Sequence, residues 1–308
     1  MGARVVSQFI AVLVDGVVYA SWLFIIAVGL TLIYGVMKIL NIAHGSLYAL
    51  GAFSAVSLSA AWFSQGYAAM GSFAMLALAA VLVGLVFGPL IERGLLQFLY
   101  GKDEVVLVLV TYALFLILED FIKLVWGVDP LFVQGPNGET PYGLLGNFEV
   151  AGLTYPNYNL LLLGVAVLTG LVLTWSLNST RSGKLLLAVI HDREVSAALG
   201  INVSRTYFVT FTIGAFLAAV GGALTAPTVS VVTGMGAEVI VMAFAVVVIG
   251  GLGSLPGAAL GALIVGMVRA AAVHYAPEVE LFSIYFVMAA VLIARPKGLF
   301  SGAEVRKI

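Results

Sequence analysis

Four short stretches place polar or conformationally special residues in apolar surroundings, and each suits a different chemistry. The first, Lys38-Ile39-Leu40-Asn41-Ile42-Ala43-His44-Gly45, interrupts a long apolar region. Asn41 is suited to cap a helix starting at Ile42 by accepting from its free backbone N–H groups, with His44 and Gly45 in the first turn. The partial positive charge of that helix end would hold a carboxylate or shape a gate in a conducting path; the plainer reading is a capped end at the membrane interface. The second stretch holds His191, Asp192, Arg193, Glu194, Ala197, Leu199 and Gly200. It reads as an amphipathic helix over 184–199, stopped by Gly200. Such a helix either docks into a groove on a soluble partner or lies on lipid headgroups.

The third stretch, Glu119, Asp120 and Lys123, lies near the end of an apolar run closed by Trp126. Glu119 and Lys123 stand four apart, which suits a local ion pair; an outer gate or a contact with an external partner is the functional alternative. The fourth runs from Gly250-Gly251 through Gly253, Ser254, Leu255, Pro256 and Gly257 to Gly261. Ser254 can cap a helix that has Leu255 and Pro256 in its opening turn, and the glycine steps let another helix approach closely. Tight packing without substrate contact is the simpler account of those glycines.

Several chemistries are excluded. There is no cysteine, so neither a disulfide nor a thiolate site can form. His44, His191 and His274 lack the spacing of metal ligands. Gly183-Lys184 lacks the preceding glycine of a phosphate-binding loop, and no nucleophile elbow or zinc-protease helix occurs. A net charge of -1 argues against a nucleic-acid partner.

The elements that position these residues follow from composition. The 308 residues are 62% hydrophobic and 9% charged, against about 25% charged in a soluble domain. The stretches between Lys38 and Glu92, Glu149 and Arg181, Arg205 and Glu238, and Glu238 and Arg269 hold no charged residue, each longer than the roughly 20 residues of one crossing. The chain is therefore expected to be an all-α integral membrane protein, a polytopic helical bundle of about 8–10 spans with broken or re-entrant segments. Spans are placed at 9–34, 42–62, 68–90, 105–126, 157–178, 206–226, 238–253, 256–274 and 281–294, in one transmembrane domain over 1–308. The few intramembrane carboxylate candidates, Asp15 and Glu238, fall near the ends of these spans.

Basic residues mark the cytoplasmic side. Arg181, Lys184, Arg193 and Arg205 in loop 179–205, and Arg295, Lys297, Arg306 and Lys307 in the tail, place both there. Loop 127–156 carries Asp129, Glu139 and Glu149 without Lys or Arg and is expected on the opposite, periplasmic side with a short hairpin.

Leu30-Thr31-Leu32-Ile33-Tyr34-Gly35-Val36-Met37 with Asn41-Ile42-Ala43-His44-Gly45, the segment from Asp192 to Asn202, Val248 to Ser254, and Arg295-Pro296-Lys297-Gly298-Leu299-Phe300 occur in this order. Together they resemble the permease subunits of branched-chain amino acid ABC importers, with the Asn-x-x-His-Gly form of the first of two permease types. The resemblance implies alternating access in a bacterial inner membrane, driven by partner ATPases, for branched-chain or other hydrophobic amino acids. It implies a second permease subunit, two ABC ATPase subunits that hold ATP and Mg, and a periplasmic substrate-binding protein, with no cofactor on this chain and no catalysis by it. His191, Asp192, Arg193, Glu194, Ala197, Leu199 and Gly200 become the ATPase-coupling segment. Asn41, His44, Gly45, Thr111, Glu119, Gly250 and Gly251 become the pathway or gate. Glu119-Asp120 departs from the family, which commonly carries neutral amides there. A permease or self-contained channel for urea or short amides is the alternative.

Overall fold

The computed structural model describes residues 2–135 and 138–300; Arg306 and Lys307 lie outside that range. It is an all-helical bundle with one small hairpin. Seven helices are long and apolar enough to cross a membrane: α1 (Gly2–Met37), α2 (His44–Ser64), α3 (Ser72–Gly94), α4 (Glu104–Trp126), α6 (Tyr158–Ser179), α9 (Val203–Thr225) and α11 (Leu255–Tyr275). Two shorter apolar helices, α10 (Met235–Gly250) and α12 (Glu280–Ala294), complete the nine expected segments. The chain is a multi-pass membrane protein. At about 1.5 Å per residue, α10 reaches only about 24 Å, short of the roughly 30 Å hydrocarbon layer.

Helix α1 is the central post, packed against α6, α9, α10 and α11, while α9 also packs against α2 and α3. Ile25, Ile26, Leu30 and Ile33 are buried completely. On α6, Leu168, Leu171 and Trp175 point outward, with Trp175 64% exposed, so that face is not covered by the rest of this chain. Apolar side chains gain nothing by leaving lipid for protein, so close contact between helices falls to small residues. Gly29 of α1 lies against the Gly214 carbonyl of α9, and Gly88 of α3 lies against Thr212.

Both ends of the bundle are identifiable. One carries the 127–156 connection, with α5 (Pro141–Leu144) and the antiparallel pair β1 (Asn147–Val150) and β2 (Leu153–Pro156). Ala151 and Gly152, at φ 53° and 78°, make the turn in which both central residues adopt positive φ, matching the twist of a two-residue hairpin. Leu131 pairs with Val231 through backbone hydrogen bonds of 2.9 and 2.8 Å, tying the 127–156 loop to the α9–α10 link. The other end carries Lys38, His191, Ser254 and Lys297 around one cavity.

Two expected helix boundaries are corrected here. The 184–199 segment is not one helix: α7 (Arg181–His191) and α8 (Arg193–Ala198) break at Asp192, whose backbone is extended (φ −154°, ψ 109°). The Asp192 carboxylate accepts from the Val195 N–H at 2.9 Å, so it starts a second helix instead of continuing the first. Gly200 (φ 84°) then ends α8 as expected. Likewise α2 begins at His44, preceded by Ala43 with no side-chain cap, and Asn41 does not cap it.

Candidate functional site

The chain reverses at Lys38, a non-glycine residue at φ 56°, and re-enters the bundle through residues 39–43. His44 then meets α1 at Ile26, its Nε2–H donating to the Ile26 carbonyl at 3.0 Å. Ile26 lies eleven residues before the end of α1, or about 16 Å along it. Helix α2 therefore begins deep inside the bundle. So does α10, because Gly236 in its first turn sits against Gly45, where a Cβ on Gly45 would collide with the Gly236 carbonyl. Two helix N-termini thus meet within the protein, a feature of broken-helix transport proteins.

Three pathway residues proposed from sequence gather there. Asn41 is completely buried, and neither its amide oxygen nor its amide nitrogen has a hydrogen-bond partner among the described residues. Thr111 of α4 holds the adjoining backbone: its hydroxyl lies 3.2 Å from the Leu40 carbonyl and accepts from the Ile42 N–H at 3.4 Å. Glu119, about two turns further along α4, accepts from the Gly234 N–H at 3.0 Å, immediately before α10. The expected Glu119–Lys123 pair is corrected: Lys123 bonds Asp120 at 3.0 Å, leaving Glu119 to cap the backbone of a remote helix. Replacing Glu119 by leucine should leave the Gly234 donor unpaired and cost about 1–3 kcal/mol, whereas Glu119→Gln keeps an acceptor and should cost less. Thermal unfolding in detergent would give that order; equal melting of Glu119→Leu and wild type would refute the capping role.

Gly250 and Gly251 sit elsewhere, at the end carrying Lys38. Gly250 abuts the Gly257 backbone of α11, and Gly251 (φ 108°) lies against Phe300, whose N–H donates to the Gly250 carbonyl at 2.9 Å. Ser254 caps α11 as expected, accepting from the Gly257 N–H at 3.1 Å. These glycines close a packed corner and do not join Asn41, His44 and Gly45.

Cavities occupy both ends. One of about 520 Å³ lies beneath the 127–156 loop, lined by Asp15, Tyr19, Trp22, Tyr142, Glu238 and Arg269 among others. Burial, and secondarily the Asp15 carboxylate, raise the Tyr142 phenol above its ordinary range, keeping it protonated as a donor. A second cavity of about 910 Å³ lies at the opposite end, between Tyr34, Lys38, Asn178, His191 and Ser254. Trp22 lines the first and Thr31 the second, and the intervening α1 residues Leu23 and Ile25 to Leu30 are buried.

The segment from His191 to Gly200 stands outside this core. Apart from Ser196 its residues are exposed, including Leu199 at 76% and Val195 at 54%. Sequence reasoning missed Arg269, which it used only to delimit an apolar run. The structure places it within α11, its guanidinium 3.9 Å from the Tyr19 ring centroid and paired with Glu280. The signal was available, because an ionisable residue inside a span is uncommon enough to need a partner.

The family described as branched-chain amino acid transport system, permease component, matches residues 12–294. The high-affinity branched-chain amino acid transport system permease protein LivH of Salmonella typhimurium is 28% identical, with 97% of this chain and 98% of LivH covered. Its counterpart BraD of Pseudomonas aeruginosa is 29% identical over 98% and 99%. The autoinducer 2 import system permease protein LsrC of an Enterobacter species is 39% identical over a shorter stretch, 32% of each chain. No solved structure matches the chain.

Proposed function

The chain belongs to the family of branched-chain amino acid transport permease components, and from that premise we propose that it is the conducting subunit of an ATP-driven importer for branched-chain or other hydrophobic amino acids. The observation that carries the reading is the pair of cavities at opposite ends of α1, parted by a buried layer where α2 and α10 begin. A solute path that is closed in its middle and open towards each end suits alternation between two states. The scarcity of charge along it suits a solute that another protein has already selected.

In this reading the protein lies in a bacterial cytoplasmic membrane, with α7, α8 and the tail in the cytoplasm, where the Lys and Arg excess belongs. The 127–156 loop faces the periplasm and receives the substrate-binding protein. A second permease subunit completes the pore, and two ATPases, holding ATP and Mg, act through the segment from His191 to Gly200.

The test is uptake of labelled leucine into proteoliposomes containing the chain with its partner subunits and binding protein. Uptake should require internal or external ATP on the ATPase side and stop when either ATPase is omitted. Leucine uptake that persists without ATPase would make the protein a channel or carrier, and uptake of urea or short amides in preference to leucine would move it to the alternative substrate class.

A further inference from the structure

Glu92, in the last turn of α3, has no exposed side-chain surface. A buried carboxylate is a poor choice for packing alone, because taking its charge out of water is costly unless specific partners meet it. Such partners are present. The Tyr100 hydroxyl, just past the turn Leu96–Leu99, donates to Glu92 Oε1, and Arg93 Nε stands 3.5 Å from Oε2. Arg93 is itself held from α9, its guanidinium 4.6 Å from the Phe208 ring centroid. Burial, and after it the bond to Glu92, raise the Tyr100 phenol well above its ordinary range, so it keeps the proton it donates.

The contacts continue to α8. The Tyr100 ring meets the Tyr207 ring of α9 edge-on, with centroids 4.9 Å apart at 82°, an attractive aromatic geometry. Tyr207 is only 4% exposed and also receives the Arg193 guanidinium of α8, 5.7 Å from its ring centroid and within cation–π reach. Three elements remote from one another in sequence thus converge on two tyrosines. Helix α8 reaches α9 in any case, through the short covalent link 199–202. Helix α3 has no such link to α8. Deeper in the bundle α3 and α9 touch closely, where Gly84 lies against Phe216 and Gly88 against Thr212. Packed surfaces of this kind transmit displacement, since protein interiors have low compressibility. The Glu92, Tyr100 and Tyr207 contacts fasten the end of that pair to the segment beside α8.

We propose that Glu92 and Tyr100 are positioning residues of the transport cycle, making α3 follow when the ATPases displace α8 and, with it, Arg193 and Tyr207. The proposal rests on the importer reading and deepens it by naming the helices that receive the movement. Helix α2 packs against both α3 and α9 and starts at the closed middle of the path, so a joint shift of the pair reaches that layer. Neither Glu92 nor Tyr100 lines either of the two cavities described above, so their part is mechanical. The carboxylate suits it: a hydrogen bond to an ionised acceptor is roughly twice as strong as a neutral one, and it holds the Tyr100 ring in one direction against Tyr207.

The test is the number of ATP molecules hydrolysed per leucine imported by the full complex, this chain with its partner subunits and binding protein, in proteoliposomes. Tyr100→Phe keeps the ring on Tyr207 and removes only the hydroxyl. It should raise that ratio about tenfold, the equivalent of one charge-assisted hydrogen bond, while the ATPases still co-purify. Glu92→Leu should do the same without a lower melting temperature, because an apolar residue in place of a buried charge commonly leaves stability equal or higher. Glu92→Gln still accepts from Tyr100 and should lie closer to wild type than to Glu92→Leu. In the chain alone, in nanodiscs, Arg193→Ala should speed amide exchange severalfold across residues 96–102 and leave residues 262–272 of α11 unchanged. Exchange at 96–102 that ignores Arg193→Ala would overturn the proposal. So would variants that lower uptake and ATP hydrolysis in parallel at a constant ratio, the mark of a mere loss of folded complex. Wild-type uptake that needs no ATPase would sink the importer reading, whereas ATP-driven wild-type uptake with a ratio untouched by Tyr100→Phe would sink this link alone.

Discussion

Gly45→Val is expected to remove most folded protein from the membrane fraction, while Gly164→Ala on α6 leaves the yield unchanged or slightly higher. At Gly45 a new Cβ would meet the Gly236 carbonyl and stand 2.9 Å from the Ile240 Cβ. The first obstacle is backbone, which cannot rotate aside as a side chain can. Overpacking of a core commonly costs about 1–3 kcal/mol where side chains can adjust; here α2 and α10 must part. Parting them also strains the Glu119 bond to Gly234, because that bond anchors the same helix start. Shortening the opposing residue offers no relief, since Gly236 already has no side chain. Gly164 has open space around it, so alanine there only gains helix propensity, up to about 1 kcal/mol. Size-exclusion chromatography of fluorescent fusions, followed by thermal unfolding of the monodisperse fraction, would check both. A monodisperse Gly45→Val protein that melts with wild type would show that the two helix starts do not meet as described.

That contrast also shows what could be read from the chain and what could not. The apolar segments were legible because a crossing helix is set by run length and composition, properties of consecutive residues. The expected 238–253 segment was correctly short, and its shortness has a cause: α10 starts inside the bundle against Gly45. The hairpin and the Ser254 cap were legible for the same local reason. Long-range partners were not. Asn41 has the side chain of a cap but the re-entrant backbone carries it past α2, into full burial. Glu119 has Lys123 at helical spacing, yet a free N–H at Gly234, 115 residues away, claims it. Asp192 could sit in a helix or start one, and in the fold its carboxylate takes the Val195 N–H and starts α8. For the proposed pathway, residue types located the break and the third dimension assigned the bonds. Arg269 and Glu238 stand in different helices with no shared spacing, so the cavity they line could not be seen before the fold.

Leu199→Asp is expected to abolish co-purification of the ATPase subunits while leaving the permease itself folded. Leu199 is 76% exposed on the segment that the importer reading assigns to docking, next to a glycine turn that points the chain back into α9. Within the described residues its side chain supports little of the core, so an acidic replacement should hardly disturb the monomer. Burial of a leucine at a partner is worth about 1.5–3 kcal/mol, and burying an unpaired carboxylate in its place adds several more. Together they should weaken association by about a hundredfold or more. Asp192→Ala should act more gently, because it removes only the cap of α8, worth about 1 kcal/mol, and loosens the segment without altering its contact face. The two readings of this segment separate cleanly here. A helix lying on lipid headgroups would, on Leu199→Asp, lose membrane contact but keep its ATPases and its ATP-driven uptake. A docking helix would lose both.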